Sequence, residues 1–365
     1  MQQYRVGIIG ATGMVGQRFI LLLQNHPWFK ITALAASASS SGKPYREAVG
    51  NRWAFDEAIP ASVAEMTVLD AADIPAVAER VDFVFCAVNM KKDETRALEE
   101  AYARHEVPVV SNNSACRGLQ DVPMVIPEIN AAHLDVIPTQ RRRLGTERGF
   151  IAVKPNCSIQ SYVPALTPLL SFKPTQIIVC TYQAISGAGK TFRTWPEMVD
   201  NVIPYIGGED EKSETEPLKI WGHLEQGADG PVIVNAAQPV ISAQCLRVAC
   251  SDGHMAAVSV KFARKPSAEE ILTAWNSYET EAQRLELPSA PKPFLQYFED
   301  PSRPQTRLDR DFERGFGISI GRLREDRVLD WRFVCLSHNT VRGAAGGAML
   351  TAELLCRTGW IQARG

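Results

Sequence analysis

The stretch "YRVGIIGATGMVGQRFILLL", residues 4–23, does most to limit the folds open to this chain. A short apolar, β-rich run passes through three glycines into a segment whose apolar residues recur at helical spacing, and "KITALAAS" then reads as a second strand. That is strand, glycine-rich turn, helix, strand: the opening unit of a doubly wound sheet. "VDFVFCAV", a helix over Lys91–His105 and "VPVVSNN" continue the alternation, which argues for a parallel sheet. From about Ile177 the texture changes. "QIIVCTYQAIS", "PVIVNAAQPV", "CLRVACSDGHMAAVSVKFA" and "LDWRFVCLSHN" are longer strand-like runs, joined by loops and a predicted helix at Ala268–Leu285. They predict a mixed or antiparallel sheet with helices on one face. The expected fold class is therefore α/β, a Rossmann-type domain over residues 1–155 followed by an α+β domain over 156–337. Residues 338–365 predict a helix, capped by Asn339 or Thr340, that returns to the first domain. "RRRLGTERG", Arg141–Gly149, reads as an exposed loop or hairpin.

Length and charge narrow the function. A chain of 365 residues accommodates two domains. Its net charge of -2, without basic or acidic blocks, argues against nucleic acid or an anionic membrane as partner. No run reaches the roughly 20 apolar residues that span a bilayer. The N-terminus enters a strand at once, so a cytoplasmic protein is expected. None of the eight cysteines forms a CxxC pair, and Cys and His never cluster at ligand spacing, so buried reduced thiols and no metal are expected.

Gly10, Gly13 and Gly16 follow the first strand and open the first helix, where a diphosphate can approach backbone N–H groups and the positive end of the helix dipole. The second strand ends in "AASASSSGK" with no carboxylate for a ribose 2′-hydroxyl. Ser37, Ser39 and Ser40 can hydrogen-bond a 2′-phosphate and Lys43 can balance its charge, so NADP is favoured over NAD. "AISGAGKT", Ala184–Thr191, nearly completes a nucleotide-hydrolase phosphate loop, yet its first glycine is Ala184 and no acidic strand end is evident to hold magnesium.

Cys157, in "KPNCSIQSYVPALTPLL", stands between a Pro-Asn turn and an apolar run of helical spacing. A helix N-terminus favours thiolate, and a thiolate can attack an acyl phosphate to form a thioester. His26, His105 and His133 lie in or beside predicted helices with no polar cluster. His254 sits in a Ser-Asp-Gly turn between two strands, seven residues after Arg247, which can clamp a carboxylate. Spacing alone leaves His254 equally open to being a turn-capping residue.

Together, "GATGMVGQRF", "SNNSACR", "PNCS", "QAISGAG", "GGEDEK", "RVACSDGH" and "NTVRGAAG" occur in the order seen in the aspartate-semialdehyde dehydrogenases, and the chain resembles the archaeal and fungal branch of that family over nearly its whole length. The resemblance implies NADPH-dependent reduction of L-aspartyl-4-phosphate to the semialdehyde, on the route to threonine, methionine, lysine and isoleucine. It implies Cys157 as nucleophile, His254 as general acid/base and Gln183 as the residue orienting the substrate. It implies Arg247 as carboxylate clamp and Glu209 as substrate-binding carboxylate, within an acidic run, Glu209-Asp210-Glu211, whose register is open by a residue. Arg117 and Lys212 match phosphate ligands, and Asn156 belongs to the same substrate site. Thr12, Gly13, Met14, Val15, Ser39, Ser40, Ser186, Gly187 and Asn339 match NADP contacts. The family also implies a homodimer or homotetramer assembled through the second domain. One departure is Ile159, where the family usually has threonine. The rival readings are a reductase of malonyl-CoA or N-acetyl-glutamyl phosphate on the same scaffold, a non-catalytic NADP sensor, and a P-loop-like nucleotide hydrolase.

Overall fold

The computed structural model describes residues 3–364. Six parallel strands come first: β1 (Tyr4–Ile9), β2 (Phe29–Ala36), β3 (Leu69–Asp70), β4 (Phe83–Cys86), β5 (Val109–Ser111) and β6 (Ile151–Val153). They run in the order β3-β2-β1-β4-β5-β6. The order reverses between β1 and β4, and a doubly wound sheet binds ligands beyond the strand ends at that point. β4, "FVFC", is buried along its whole length because helices cover both faces of the sheet. The helix Met14–Leu23 follows β1 through the glycine turn. There Gly10 has φ 89°, and a Cβ on Gly16 would lie 2.4 Å from the Gly10 carbonyl oxygen, so the turn closes only without side chains.

Nine strands follow: β7 (Pro174–Gln183), β8 (Val202–Ile203), β9 (His223–Gly227), β10 (Gly230–Val234), β11 (Val240–Val248), β12 (His254–Phe262), β13 (Leu295–Phe298), β14 (Ile318–Glu325) and β15 (Trp331–Ser337). β9 and β10 form a hairpin, and the other seven form one sheet in the order β13-β14-β15-β12-β7-β11-β8. The sheet is mixed: β7 pairs parallel with β11 and antiparallel with β12. Burial alternates along β12, so one face packs inward while the other is left open. The inward face meets the helix Ile159–Leu166, which is buried on every side. Its large apolar side chains each contribute roughly 1.5–3 kcal/mol by leaving water.

The helix Gly346–Arg357 shares a core with the first sheet, where Ala348, Leu350 and Leu354 join Val6, Ile8, Phe19 and Phe83. Four local expectations differ from the structure. Arg141, Arg142 and Arg143 are helical, in the last turn of Ile137–Leu144, where cations offset the dipole and Gly145 at φ 72° ends the helix. The helix expected at Ala268–Leu285 breaks after Asn276, because Thr280 caps a second short helix, Glu281–Arg284, through the N–H of Gln283. Neither Asn339 nor Thr340 caps the return segment with its side chain, and a wide turn at Val341–Ala345 precedes the helix. His26 also has the polar cluster that the sequence did not suggest. Its Nε2 lies 2.9 Å from Glu353, whose carboxylate also accepts the Ser289 hydroxyl at 2.5 Å, and this ties the return helix to the first domain.

Candidate active site

Asn156, Cys157 and Ser158 lie between β6 and the helix Ile159–Leu166. The Asn156 side-chain oxygen accepts both the backbone N–H and the hydroxyl of Ser158 at 2.7 Å, so Asn156 supplies the local cap and Ile159 is free to fill the core. The Asn156 amide donates to both Glu209 oxygens at 2.9 and 3.0 Å, and its backbone N–H donates to Glu216 at 2.5 Å. Two carboxylates from the helix Glu209–Ile220 thus hold the Cys157 turn. Glu209 further accepts Lys212 at 2.8 Å and Gln183 at 3.2 Å. The acidic run has a clear register: Glu209 faces this cluster, whereas Asp210 accepts the backbone N–H of Cys245 on β11. Burial alone would raise the Glu209 pKa, but Lys212, Asn156 and Gln183 outweigh it and hold the carboxyl below its usual value.

Arg117 pairs with Glu216 at 2.8 Å and donates to the Asn112 carbonyl at 3.0 Å. Its Nε and both side-chain polar atoms of Asn112 are buried without a hydrogen-bond partner. Such a pocket of unsatisfied groups fits an oxyanion, with Lys212 half-exposed nearby on the Glu209 side.

The opposite wall is built on Ala184, just past β7. Its N–H donates to His254 Nδ1 at 3.0 Å, and its carbonyl accepts Arg247 Nη1 at 2.7 Å. His254 is fully buried, and its Nε2 has no partner. Burial, then Arg247, hold its pKa well below the usual histidine value, so the ring is neutral. A Cβ on Gly187 would stand 2.8 Å from Arg247 Nη1 and 3.0 Å from His254 Nε2, so this glycine packs directly on both groups and a side chain there would displace them. Asn339 links the Gly253 N–H to the Ser186 hydroxyl, both at 2.8 Å, and joins the two loops that carry this wall.

The helix start does not make Cys157 acidic as expected. Burial pushes the thiol above its ordinary value and Glu209 adds to this, while Lys154, Arg117 and Arg247 act in the opposite sense. Burial is a tertiary property that the local sequence does not show.

Two family descriptions match the chain: "Semialdehyde dehydrogenase, NAD binding domain" over residues 5–137 and "Semialdehyde dehydrogenase, dimerisation domain" over 166–342. An aspartate-semialdehyde dehydrogenase of Aspergillus fumigatus is 41% identical, with 98% of each chain covered. One from the archaeon Methanothermobacter thermautotrophicus is 42% identical over 96% of this chain and 98% of that one. The chain belongs to the aspartate-semialdehyde dehydrogenase family. A crystal structure of the Candida albicans aspartate-semialdehyde dehydrogenase with NADP superimposes with a TM-score of 0.88 at 38% identity, covering 99% of this chain and 100% of that one.

In this member of the aspartate-semialdehyde dehydrogenase family, a groove of about 500 Å³ runs past the ends of β1, β2 and β4 and is lined by Gly10, Thr12, Gly13, Ser37, Arg52 and Asp70. A Cβ on Gly13 would find only the Gly10 oxygen, at 3.5 Å, so the missing side chain there leaves room for a ligand. Ser37 and Ser39 hydroxyls meet at 3.0 Å, and Lys43 donates to the Ser39 carbonyl at 3.0 Å, whereas Ser40 is buried. Asp70 is engaged by the Ala72 N–H at 3.0 Å. The groove therefore fits a dinucleotide diphosphate on the glycine turn. Met14 and Ser186 line a second cleft, of about 350 Å³, that opens between the domains.

Sequence reasoning missed Glu216, Asn112, Lys154, Arg52 and Ala184. Glu216 and Arg117 are 99 positions apart, so no local pattern couples them. Asn112, in "SNNSACR", had the motif as its signal. Lys154, in "KPNC", is almost fully buried, and burial with Arg117 nearby lowers its ammonium pKa to about 7. Ala184 acts through its main chain and leaves no signal in residue type.

Proposed function

We propose that this chain is an NADP-dependent aspartate-semialdehyde dehydrogenase that reduces L-aspartyl-4-phosphate to L-aspartate 4-semialdehyde in the cytoplasm, within threonine, methionine, lysine and isoleucine synthesis. The observation that carries the reading is one connected run of contacts. Asn156 binds Glu209, Glu209 binds Gln183, and the neighbouring Ala184 holds both His254 and Arg247. A nucleophile, a carboxylate clamp and an imidazole therefore share one rigid frame.

Arg247 takes the substrate's α-carboxylate, Glu209 its ammonium group, and Gln183 orients the chain between them. Arg117, Lys212 and Asn112 receive the phosphate. The Cys157 thiolate attacks the acyl carbon, phosphate leaves, and a thioester forms. NADPH, when bound along Gly10, Thr12, Gly13, Met14, Val15 and Gly16, with Ser37 and Ser39 at the 2′-phosphate and Ser186, Gly187 and Asn339 toward the nicotinamide, supplies the hydride. His254 presents Nε2 to the carbonyl oxygen that becomes negative. Residues 1–155 with 338–365 form the cofactor unit, and 156–337 the catalytic and dimerisation unit. Ile178, Tyr182, Val202 and Val240 are exposed apolar residues of β7, β8 and β11, and they give a homodimer, or a homotetramer built from it, a surface to bury.

The deciding assay follows NADPH formation from semialdehyde, phosphate and NADP, with malonyl-CoA reduction as the competing test. Turnover with the first set and none with malonyl-CoA is expected. Cys157→Ala should abolish that turnover, and near-native activity in this variant would remove the covalent route.

A further inference from the structure

We propose that Lys219 is a positioning residue for phosphate: its buried ammonium chelates the main chain of the loop that carries Arg117, and so fixes where the Arg117 guanidinium meets the phosphoryl group. The proposal rests on the function proposed above, in which Arg117 receives phosphate, and adds to it a residue that touches no substrate.

Lys219 is 5% exposed. Its Nζ donates to three carbonyls of one loop, those of Arg117 at 2.7 Å, Leu119 at 2.6 Å and Val122 at 3.0 Å. An ammonium has three N–H groups, so all of them are used within residues 117–122. That stretch is built of turns, with no helix or strand ladder to take up its carbonyls. Two more find partners outside it: the Gln120 carbonyl accepts the Ile233 N–H of β10, and the Asp121 carbonyl accepts the Gln140 side-chain amide, both at 2.9 Å. Buried main-chain groups need such partners, and here one atom supplies three of them. Without the ammonium the loop would keep its two outer ties and lose the one at residue 117 itself.

Lys219 follows Glu216 by three residues on the helix Glu209–Ile220, so the two side chains leave the same face. Glu216 takes Arg117 Nη1 at 2.8 Å, and Lys219 takes the Arg117 carbonyl. One helix therefore holds Arg117 at both ends, main chain and guanidinium, and Nε is the donor left without a partner. Ordering a long arginine side chain costs conformational entropy when the ligand must do it. An arginine already held at both ends meets phosphate preorganised. The charge on Lys219 is part of the device. The titratable groups around it are Asp121 and Cys116 on the loop, Glu216 on the helix and His133 on the short helix Ala131–Val136. Burial lowers the Lys219 pKa to about 8, so at neutral pH the ammonium with its three donors prevails, whereas an amine would keep two. An apolar residue in its place would bury no charge but would leave three carbonyls without a donor.

The test follows NADPH formation by the full-length enzyme and measures KM for phosphate and KM for semialdehyde separately in Lys219→Met and Lys219→Gln. The first variant keeps the bulk of the side chain and removes every donor; the second keeps an amide with two N–H groups. KM for phosphate should rise about 10–50-fold in Lys219→Met and about 3–10-fold in Lys219→Gln, while KM for semialdehyde and kcat stay within about threefold. A residue that only held the fold together would lower the active fraction, and with it kcat, at unchanged KM. In an Arg117→Lys background, Lys219→Met should change KM for phosphate by less than about twofold, because the effect runs through Arg117. Should Lys219→Met fail to fold, Lys219→Gln reads the same split. A KM for phosphate within about twofold of wild type, equal rises in both KM values, or full additivity with Arg117→Lys would overturn the proposal. If the wild-type enzyme failed to turn over these substrates, the proposed function would fall. Calorimetry with inorganic phosphate would then decide the part of Lys219, with weaker binding to Lys219→Gln supporting it and equal binding overturning it.

Discussion

The two walls of the cleft are held by different means. On the Cys157 side, side-chain carboxylates do the holding: Glu209 and Glu216 reach across from one helix to Asn156, Gln183, Lys212 and Arg117. On the His254 side the main chain of a single residue, Ala184, makes both bonds. A charge network can be tuned by neighbours and by pH but breaks when one member is lost. A main-chain holder is indifferent to both.

Glu216→Ala should show the largest effect. It strands the Arg117 guanidinium, only 10% exposed at its side chain, without its carboxylate, and loss of one member of such a pair typically costs about 3–5 kcal/mol. A urea midpoint close to wild type would mean that the first wall does not depend on its charges. Gly187→Ala comes next. Its Cβ would push Arg247 and His254 apart, so kcat/KM should drop about 10–100-fold while the urea midpoint barely moves, a drop worth roughly 1.4–3 kcal/mol.

Lys154→Met separates the walls by pH. The Lys154 ammonium has a pKa of about 7 in the folded chain against 10.5 for an ordinary lysine. Its burial cost is fully present below about pH 7 and is relieved as pH rises from there toward 10.5. The variant should therefore be more stable at neutral pH, by about 1 kcal/mol or more, and this gain should shrink toward pH 10. Removing that charge should also raise the Cys157 pKa, read as slower iodoacetamide labelling at pH 7. Glu209 has the opposite sign. Its folded pKa lies below 4.5, so its contribution to stability is complete above pH 4.5 and is lost as pH falls through the lower value. Glu209→Gln should flatten the acid limb of the stability profile.

The smallest effect is expected for Ala184→Gly, which leaves both main-chain bonds in place. About 0.4–1 kcal/mol of stability should go, through the added freedom of the unfolded chain, with kcat within about twofold of wild type. A larger loss than Gly187→Ala would reverse the contrast between the walls.

This contrast also explains what could be read in advance. Gly10, Cys157, Arg247 and His254 stood out as candidates because their residue types are tied to chemistry and their flanks to turns. The alternation of strands and helices carried the parallel sheet, and the longer runs after Ile177 carried the mixed one. Glu216 was hidden because its partner is 99 positions away, and Ala184 because a peptide group has no side chain to recognise. The thiol's direction of shift could not follow from the helix start, since the burial that dominates it comes from the folded whole. At Arg141–Arg143 the exposure was read correctly for Arg142 and Arg143, but the loop was not, because arginine also suits the last turn of a helix.

The wide turn at Val341–Ala345 places Gly343 so near Cys157 that a Cβ there would stand 2.9 Å from the Cys157 Cβ. The neighbouring Arg342 grips Glu128 and Gln160, the latter on the helix that follows Cys157. During synthesis, the glycine turn, Cys157, Arg247 and His254 all emerge before this segment does. The thiol therefore acquires its final surroundings only when residue 343 has been made and folded back. A nascent or stalled chain would carry every side chain proposed for catalysis and still lack the finished cleft.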